Sequence, residues 1–375
     1  MATDPRDHRS RLVALDGLRA LAALEVVFAH SSYAIAKSKL EAFAIFHSPL
    51  AFFINASGAV HLFFVLSGYC LTASALRGRA SSSDLAQFYL RRVARIHAPF
   101  VAVAVLAWMA SIWLYPANPD GITPWMRELL RVRLSPVEFL RTLVFPGDAG
   151  GLLPQGWTLR VEMIFSLLMP LMALLASRTH WAVLVAASLA LLALSSEQFS
   201  TLRVSLDFSM GIVVYLERDR LTAAFSRLPR FVATILGVAG LLLVTLPMYT
   251  LLEARRPQVA TLVSSAGATL LLIAAIHAPR LRRFLSWRPI AALGRVSYSI
   301  YLLHFTVLAL LTPLLPPRTG LVGGIGFALL VALGTCALAP LTYRAVELPC
   351  IRAGNAACRV LARRTGGTLR AARSP

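Results

Sequence analysis

Arg19 and His30 stand eleven residues apart in the apolar run LVALDGLRALAALEVVFAH. On a helix that spacing returns both side chains to one face, within about 20°, and sets them about 16–17 Å apart along the axis. Arginine at mid-span costs about 2.5–3.5 kcal/mol on insertion scales, so an ionisable residue in an apolar span reads as functional by default. The plainer reading has Arg19 snorkelling to one set of headgroups and His30 marking the far interface. Asp16, Ala23 and Val27 complete the shared stripe. A neutral imidazole takes a proton from a hydroxyl, and a guanidinium grips a phosphate or carbonyl oxygen.

Further candidates lie on other apolar runs. AVHLFFVLSGYC holds Ser67-Gly68, a small pair that lets a second helix approach closely. FYLRRVARIHAPF brings Arg91, Arg92 and Arg95 to one helical face. Anchoring at a membrane surface and binding of a phosphate explain that cluster about equally well. QGWTLRVEMIFSLLMPL spaces Thr158, Glu162 and Ser166 four apart as a polar stripe. The Glu162 carboxylate needs a partner on another span or a part in chemistry. LGRVSYSIYLLHF puts Ser297, Tyr301 and His304 on one face, with Tyr298 beside them. His304 reads first as a histidine bridging two helices. Arg344 and Glu347, three apart near the end of the last span, read as an ion pair.

The elements that position these residues follow from composition. The chain has 375 residues, is 57% hydrophobic and only 14% charged, which excludes an ordinary soluble domain. Apolar runs at 12–33, 51–75, 94–115, 155–176, 181–195, 204–217, 231–251, 259–277, 290–312 and 321–343 predict an all-α polytopic membrane protein of about ten transmembrane helices. The fifth and sixth runs are short for a hydrocarbon core. With both termini cytoplasmic, 24 basic residues fall on the cytoplasmic side and 10 on the other. The net charge of +20 is therefore chiefly a positive-inside signal, and no nucleic-acid partner is expected. Residues 1–350 are expected to form one membrane domain and 351–375 a basic, disordered cytoplasmic tail. The segment 116–154 holds two amphipathic stretches split at Ser135-Pro136, fit to lie on the membrane or to roof a cavity. Cys70, Cys336, Cys350 and Cys358 have no metal-ligand spacing and are not expected in disulfides. G-x-x-x-x-G-K-[ST], H-E-x-x-H and G-x-S-x-G are all absent, so nothing supports nucleotide hydrolysis, zinc proteolysis or an elbow-type serine hydrolase.

The ordered set of motifs resembles the acyltransferase-3 family of integral membrane, acyl-CoA-dependent acyltransferases. Arg19 and His30 fit its Arg-x10-His signature, HLFFVLSGY its FFVLSGF-type segment, and RRVARIHAPF its RRxxRIxP-type segment with His97-Ala98 before the proline. WTLRVEMIFSLLMPL, with Trp157 and Glu162, is similar to WSLxxExxFYLLxP; LGRVSYSIYLLHF and VELPCIR are similar to the closing motifs. The resemblance implies about ten spans, a bacterial inner-membrane location, and O-transfer of an acyl group, typically acetyl, to a carbohydrate or glycosylated acceptor. Acyl-CoA would serve as co-substrate, with no permanently bound cofactor and no metal. A fused hydrolase-like domain found in some relatives is not expected here.

In that chemistry His30 is the general base and Arg19 holds the donor, oriented by Asp16 one turn below. Arg91, Arg92 and Arg95 grip the nucleotide phosphates, and Glu162 orients His30 or steadies its imidazolium. Ser67, Trp157, Thr158, Tyr298, Tyr301 and His304 support the substrates. An acyl-histidine intermediate is a variant of the same scheme. The rival from another class is a permease for a small anion or sugar with His30 as proton relay. It accounts for buried charge but not for six motifs in order. A scaffold without catalysis leaves the polar stripes unexplained.

Overall fold

Backbone in hydrocarbon has no water to bond, so an apolar run satisfies its N–H and C=O groups by coiling into α-helix. The computed structural model describes residues 5–35, 45–76, 82–115, 123–131, 134–144, 146, 152–196, 200–314 and 321–364, and these contain no strand. In chain order the helices are α1 Pro5–Ile35, α2 Ala56–Ala75, α3 Ser82–Trp113, α4 Pro124–Arg131, α5 Pro136–Val144, α6 Gly156–Arg178, α7 Trp181–Leu194 and α8 Ser205–Leu216. They continue as α9 Arg218–Arg227, α10 Arg230–Tyr249, α11 Pro257–His277, α12 Pro279–Leu285, α13 Arg288–Arg295, α14 Ser297–Leu311, α15 Leu321–Thr342 and α16 Leu348–Arg364.

Among the described residues, seven helical segments are long and apolar enough to cross a membrane. Leu106, Met109, Leu167, Leu171, Leu242 and Leu333 remain exposed on them, as lipid-facing side chains do in an integral membrane protein. Three of the ten expected spans fall outside the seven. α1 is 31 residues long but carries Asp16, Arg19 and Glu25. α7 and α8 have only 14 and 12 residues. The run 290–312 is not one helix. Val296 leaves helical geometry at φ −109°, ψ 11°, and its N–H turns back to the Leu293 carbonyl at 3.1 Å, so α13 and α14 are separate.

Close approach sets the packing. A Cβ on Gly68 of α2 would strike the Phe208 carbonyl of α8, and one on Gly211 would strike the Val65 carbonyl. The two backbones touch at reciprocal glycines, so the packing use of Gly68 is the one realised. α1 meets the α12–α13 segment in the same way, Gly17 against Leu285 and Gly294 against Asp16. A polar tie joins three helices deeper in. Fully buried Asp207 of α8 accepts from Ser265 of α11 at 2.5 Å, and His61 Nδ1 of α2 lies 2.8 Å from its other oxygen.

Two helices widen for one turn just before a proline. Val93–His97 of α3 and Tyr343–Glu347 after α15 are π-turns, followed by Pro99 and Pro349. Proline has no N–H to give and crowds the carbonyl four residues back, and a wider turn relieves both. The second π-turn also removes the expected Arg344–Glu347 pair, because three residues no longer make the right rotation. Glu347 accepts instead from Ser299 of α14 at 2.8 Å.

The tail expected from residue 351 is helical through Arg364, and 365–375 lie outside the described residues. Its charges concealed a buried stripe of Gly354, Cys358 and Ala362, spaced four apart. A Cβ on Gly354 would meet Ala94 of α3, and the Cys358 thiol reaches the Gln87 carbonyl at 3.5 Å. All four cysteines are free. The amphipathic stretches expected in 116–154 form α4 and α5. A capping box starts α5, with Ser135 N–H and O–H both donating to Glu138 at 2.8 and 2.7 Å. Trp125 packs α4 against His30 and Tyr33 of α1, and neither α4 nor α5 lines the cavity beside α1.

Gly68→Ala is expected to lower the thermal midpoint of the purified protein and its folded yield, since overpacking costs about 1–3 kcal/mol even where side chains can yield. Gly326→Ala meets nothing within 4 Å and serves as the unaffected control. Equal midpoints for the two variants would count against the α2–α8 contact.

Candidate active site

α1, α2, α3, α6 and α14 surround one cavity of about 1780 Å³. Asp16, Arg19, Ser67, Arg91, Arg92, Arg95, Thr158, Glu162, Tyr298 and Tyr301 all line it. Of the residues given a part in the chemistry, His30, His304 and Trp157 do not line it, nor does Ser166 of the α6 polar stripe. Trp157 is 44% exposed and meets Phe64 edge-on, so its expected part at the site is not realised.

Several polar groups on the wall are paired. Arg19 Nη1 donates to Asp16 Oδ1 at 3.0 Å, one turn below, as expected from their spacing. Its other arm, Nη2, donates to Cys70 Sγ at 3.1 Å. Arg92 Nη2 donates to Glu162 Oε1 at 2.8 Å, and Arg92 Nε to Ser166 at 3.1 Å. Ser67 adds a longer bond to Glu162 at 3.3 Å. Glu162 therefore serves the arginine cluster and does not orient His30. The expectation fails because α6 turns its polar stripe toward α3, not toward the far half of α1. Arg95 remains exposed within the cavity. Tyr298 O–H donates to the Ile96 carbonyl at 2.6 Å inside the α3 π-turn, and Glu347 of the second π-turn lines the same wall.

Sequence reading missed part of the rim. Arg178, Arg218 and Arg295 line the cavity, as do Tyr69 and Tyr215. The Arg218 guanidinium lies 4.4 Å from the Tyr215 ring centroid, a cation–π contact. Their one sequence signal was a basic residue at the end of an apolar run, which positive-inside anchoring already explained.

Tyr301 lies between the cavity and the buried His304. Its hydroxyl shares a 2.6 Å bond with Thr158, and its ring centroid is 5.7 Å from that of His304. His304, 1% exposed, places Nε2 3.1 Å from His30 Nδ1. The His30 ring packs against Phe305 at 4.8 Å and lies parallel to Trp125 of α4, 6.3 Å away. α1 thus carries Arg19 in the cavity and His30 beyond its inner end, and the bridging role read for His304 is the one it fills.

The chain matches the acyltransferase-3 family, described as an acyltransferase domain, over residues 12–344. A putative peptidoglycan O-acetyltransferase of Bacillus subtilis strain 168, YrhL, is 26% identical over 91% of this chain and 55% of its own length. The peptidoglycan O-acetyltransferase OatA of Listeria monocytogenes is 27% identical over 93% of this chain and 57% of its own. The chain thus spans little more than half the length of these relatives. No solved structure matches it. With the motifs gathered on one cavity and the family matched across almost the whole span of helices, the chain belongs to the acyltransferase-3 family of membrane acyltransferases.

Proposed function

We propose that this protein moves an acyl group, acetyl in the first instance, from acyl-CoA to a hydroxyl of a cell-envelope carbohydrate. The observation that carries the reading is the cavity itself, arginine-rich along α3 and reaching Tyr301 beside the His30–His304 pair. Three phosphates and a thioester at opposite ends of an extended arm match that distribution of charge. Arg91, Arg92 and Arg95 suit the phosphates, because guanidinium binds phosphate through paired N–H donors. Arg19, held by Asp16, suits an amide or thioester carbonyl of the arm. His30 takes the acceptor's hydroxyl proton as its oxygen attacks the thioester carbonyl. The named activity of both relatives, O-acetylation of peptidoglycan, supports a carbohydrate acceptor.

The basic residues give the orientation. With the 77–95 segment cytoplasmic, 24 of them face the cytoplasm, and the arginine cluster meets cytosolic acyl-CoA. α4 and the histidine pair then lie toward the other side of a bacterial inner membrane, from which the acceptor comes. A permease would use the same polar stripes to line a pore, yet it leaves the six ordered motifs and the acyltransferase family match unaccounted for.

Mass spectrometry of envelope carbohydrate from cells with and without the protein tests the reading. One added acyl mass is expected, and uptake of an unaltered solute by sealed vesicles would favour the permease instead. His30→Ala is expected to lower transfer by about 10²–10⁴-fold while the protein still inserts and folds. Wild-type turnover in that variant would remove His30 as the base. Arg19→Lys keeps the charge but loses the planar fork, so acetyl-CoA affinity should fall more than acceptor affinity. For topology, Ser82→Cys in a chain freed of its native cysteines should resist an impermeant thiol reagent in intact spheroplasts, while Glu128→Cys should label. The reverse pattern would place the arginine cluster out of reach of cytosolic donor.

A further inference from the structure

A histidine base needs a bare ring nitrogen facing its substrate, and a neutral imidazole has one bare nitrogen and one N–H. The contact between His30 and His304 points to which is which, with the Val26 backbone, one turn back on α1, as a further partner of the His30 ring. The Tyr301 carbonyl oxygen lies 2.7 Å from His304 Nδ1. A carbonyl only accepts, so Nδ1 of His304 carries the proton. Neutral His304 is then bare at Nε2, and that atom lies 3.1 Å from His30 Nδ1. A hydrogen bond between them requires the proton on His30 Nδ1. His30 Nε2 is left with its lone pair.

We propose that His304 is a positioning residue that locks His30 in its Nδ1–H form and so presents Nε2 as the base. The inference rests on reading His30 as the base of the transfer. Both ring nitrogens of His304 are engaged, so His304 has none to offer a hydroxyl. Its anchor is itself braced, since Gln155 Nε2 donates to the carbonyls of Tyr301 and Leu302 at 3.4 and 3.1 Å. Phe305 and Trp125 confine the His30 ring.

The arrangement also fixes the path of the proton. As the acceptor oxygen forms its bond to the thioester carbon, the hydroxyl proton passes to His30 Nε2. The C–S bond breaks, and the departing thiolate takes that proton back from Nε2. In between, imidazolium His30 still donates through Nδ1 to His304, now by a stronger, charge-assisted bond. The chain of bonds ends on a peptide carbonyl that holds no proton for long, so the pair is a base and its brace, not a relay across the membrane.

The test pairs two amide substitutions in the full-length protein in lipid nanodiscs. In His304→Gln the amide oxygen can take the place of Nε2 and accept from His30. In His304→Asn the amide reaches the Tyr301 carbonyl but offers nothing to His30. Nitrogen-15 NMR of histidine-labelled protein, with the His30 signals identified by their loss in His30→Ala, reads the tautomer directly. The wild type and His304→Gln should show His30 protonated at Nδ1, and His304→Asn should show the Nε2–H form. A wild-type His30 protonated at Nε2, or no change in His304→Asn, would overturn the proposal whatever the activity. In cells, envelope acylation should fall about 10–100-fold in His304→Asn and stay within a few-fold in His304→Gln. Equal activity of the two variants would also overturn it. Full activity in His30→Ala with the tautomer pattern intact would instead sink the reading of His30 as base.

Discussion

Charge inside a bilayer has to be met by protein, and α1 obeys that constraint most severely. It carries Asp16, Arg19, Glu25 and His30 in one helix, so it cannot face lipid on those sides. The fold encloses it. α2, α14 and α15 pack along its length, and the α12–α13 segment comes to backbone contact at Gly17 and Gly294. Arg19 finds Asp16 and Cys70, while His30 finds His304. Everything proposed about transfer depends on this one helix being central and surrounded.

The cavity beside α1 is kept polar by irregular backbone. Two π-turns, each forced by a proline two residues on, reset the helical register where α3 and the α15–α16 segment face the site. The first exposes the Ile96 carbonyl to Tyr298, and the second swings Glu347 to Ser299. Regular helix at either place would leave those groups in the wrong rotation.

Paired charges govern what the arginine cluster can do. Arg92 and Glu162 are three-quarters or more buried and bonded at 2.8 Å, so this arginine is preorganised and partly neutralised. Arg95 is exposed within the same cavity. The cavity wall thus offers one paired and one exposed guanidinium side by side. His61, Asp207 and Ser265 form another buried polar group, and there the interactions tie α2, α8 and α11 together away from the cavity.

Helical periodicity is a property of a single chain segment, and what it governs could be read from sequence. The Arg19–His30 stripe, the Thr158–Glu162–Ser166 stripe and the Ser297–Tyr301–His304 stripe all occur on helices as spaced. Apolar length likewise marked most of the helices, and the ordered motifs marked the family. Local pattern does not say which stripe faces which. Glu162 meets Arg92, not His30, because glycine-mediated contacts and proline-driven π-turns set how far each helix is rotated. The split of 290–312 at Val296 and the burial of Gly354, Cys358 and Ala362 depend in the same way on neighbours distant in sequence. Residue types and spacing determined that an imidazole, a guanidinium and a carboxylate would stand on apolar helices. Only packing in three dimensions decided that His30 would meet a second histidine 274 residues away, since that bond joins two helices whose relative rotation no one segment encodes.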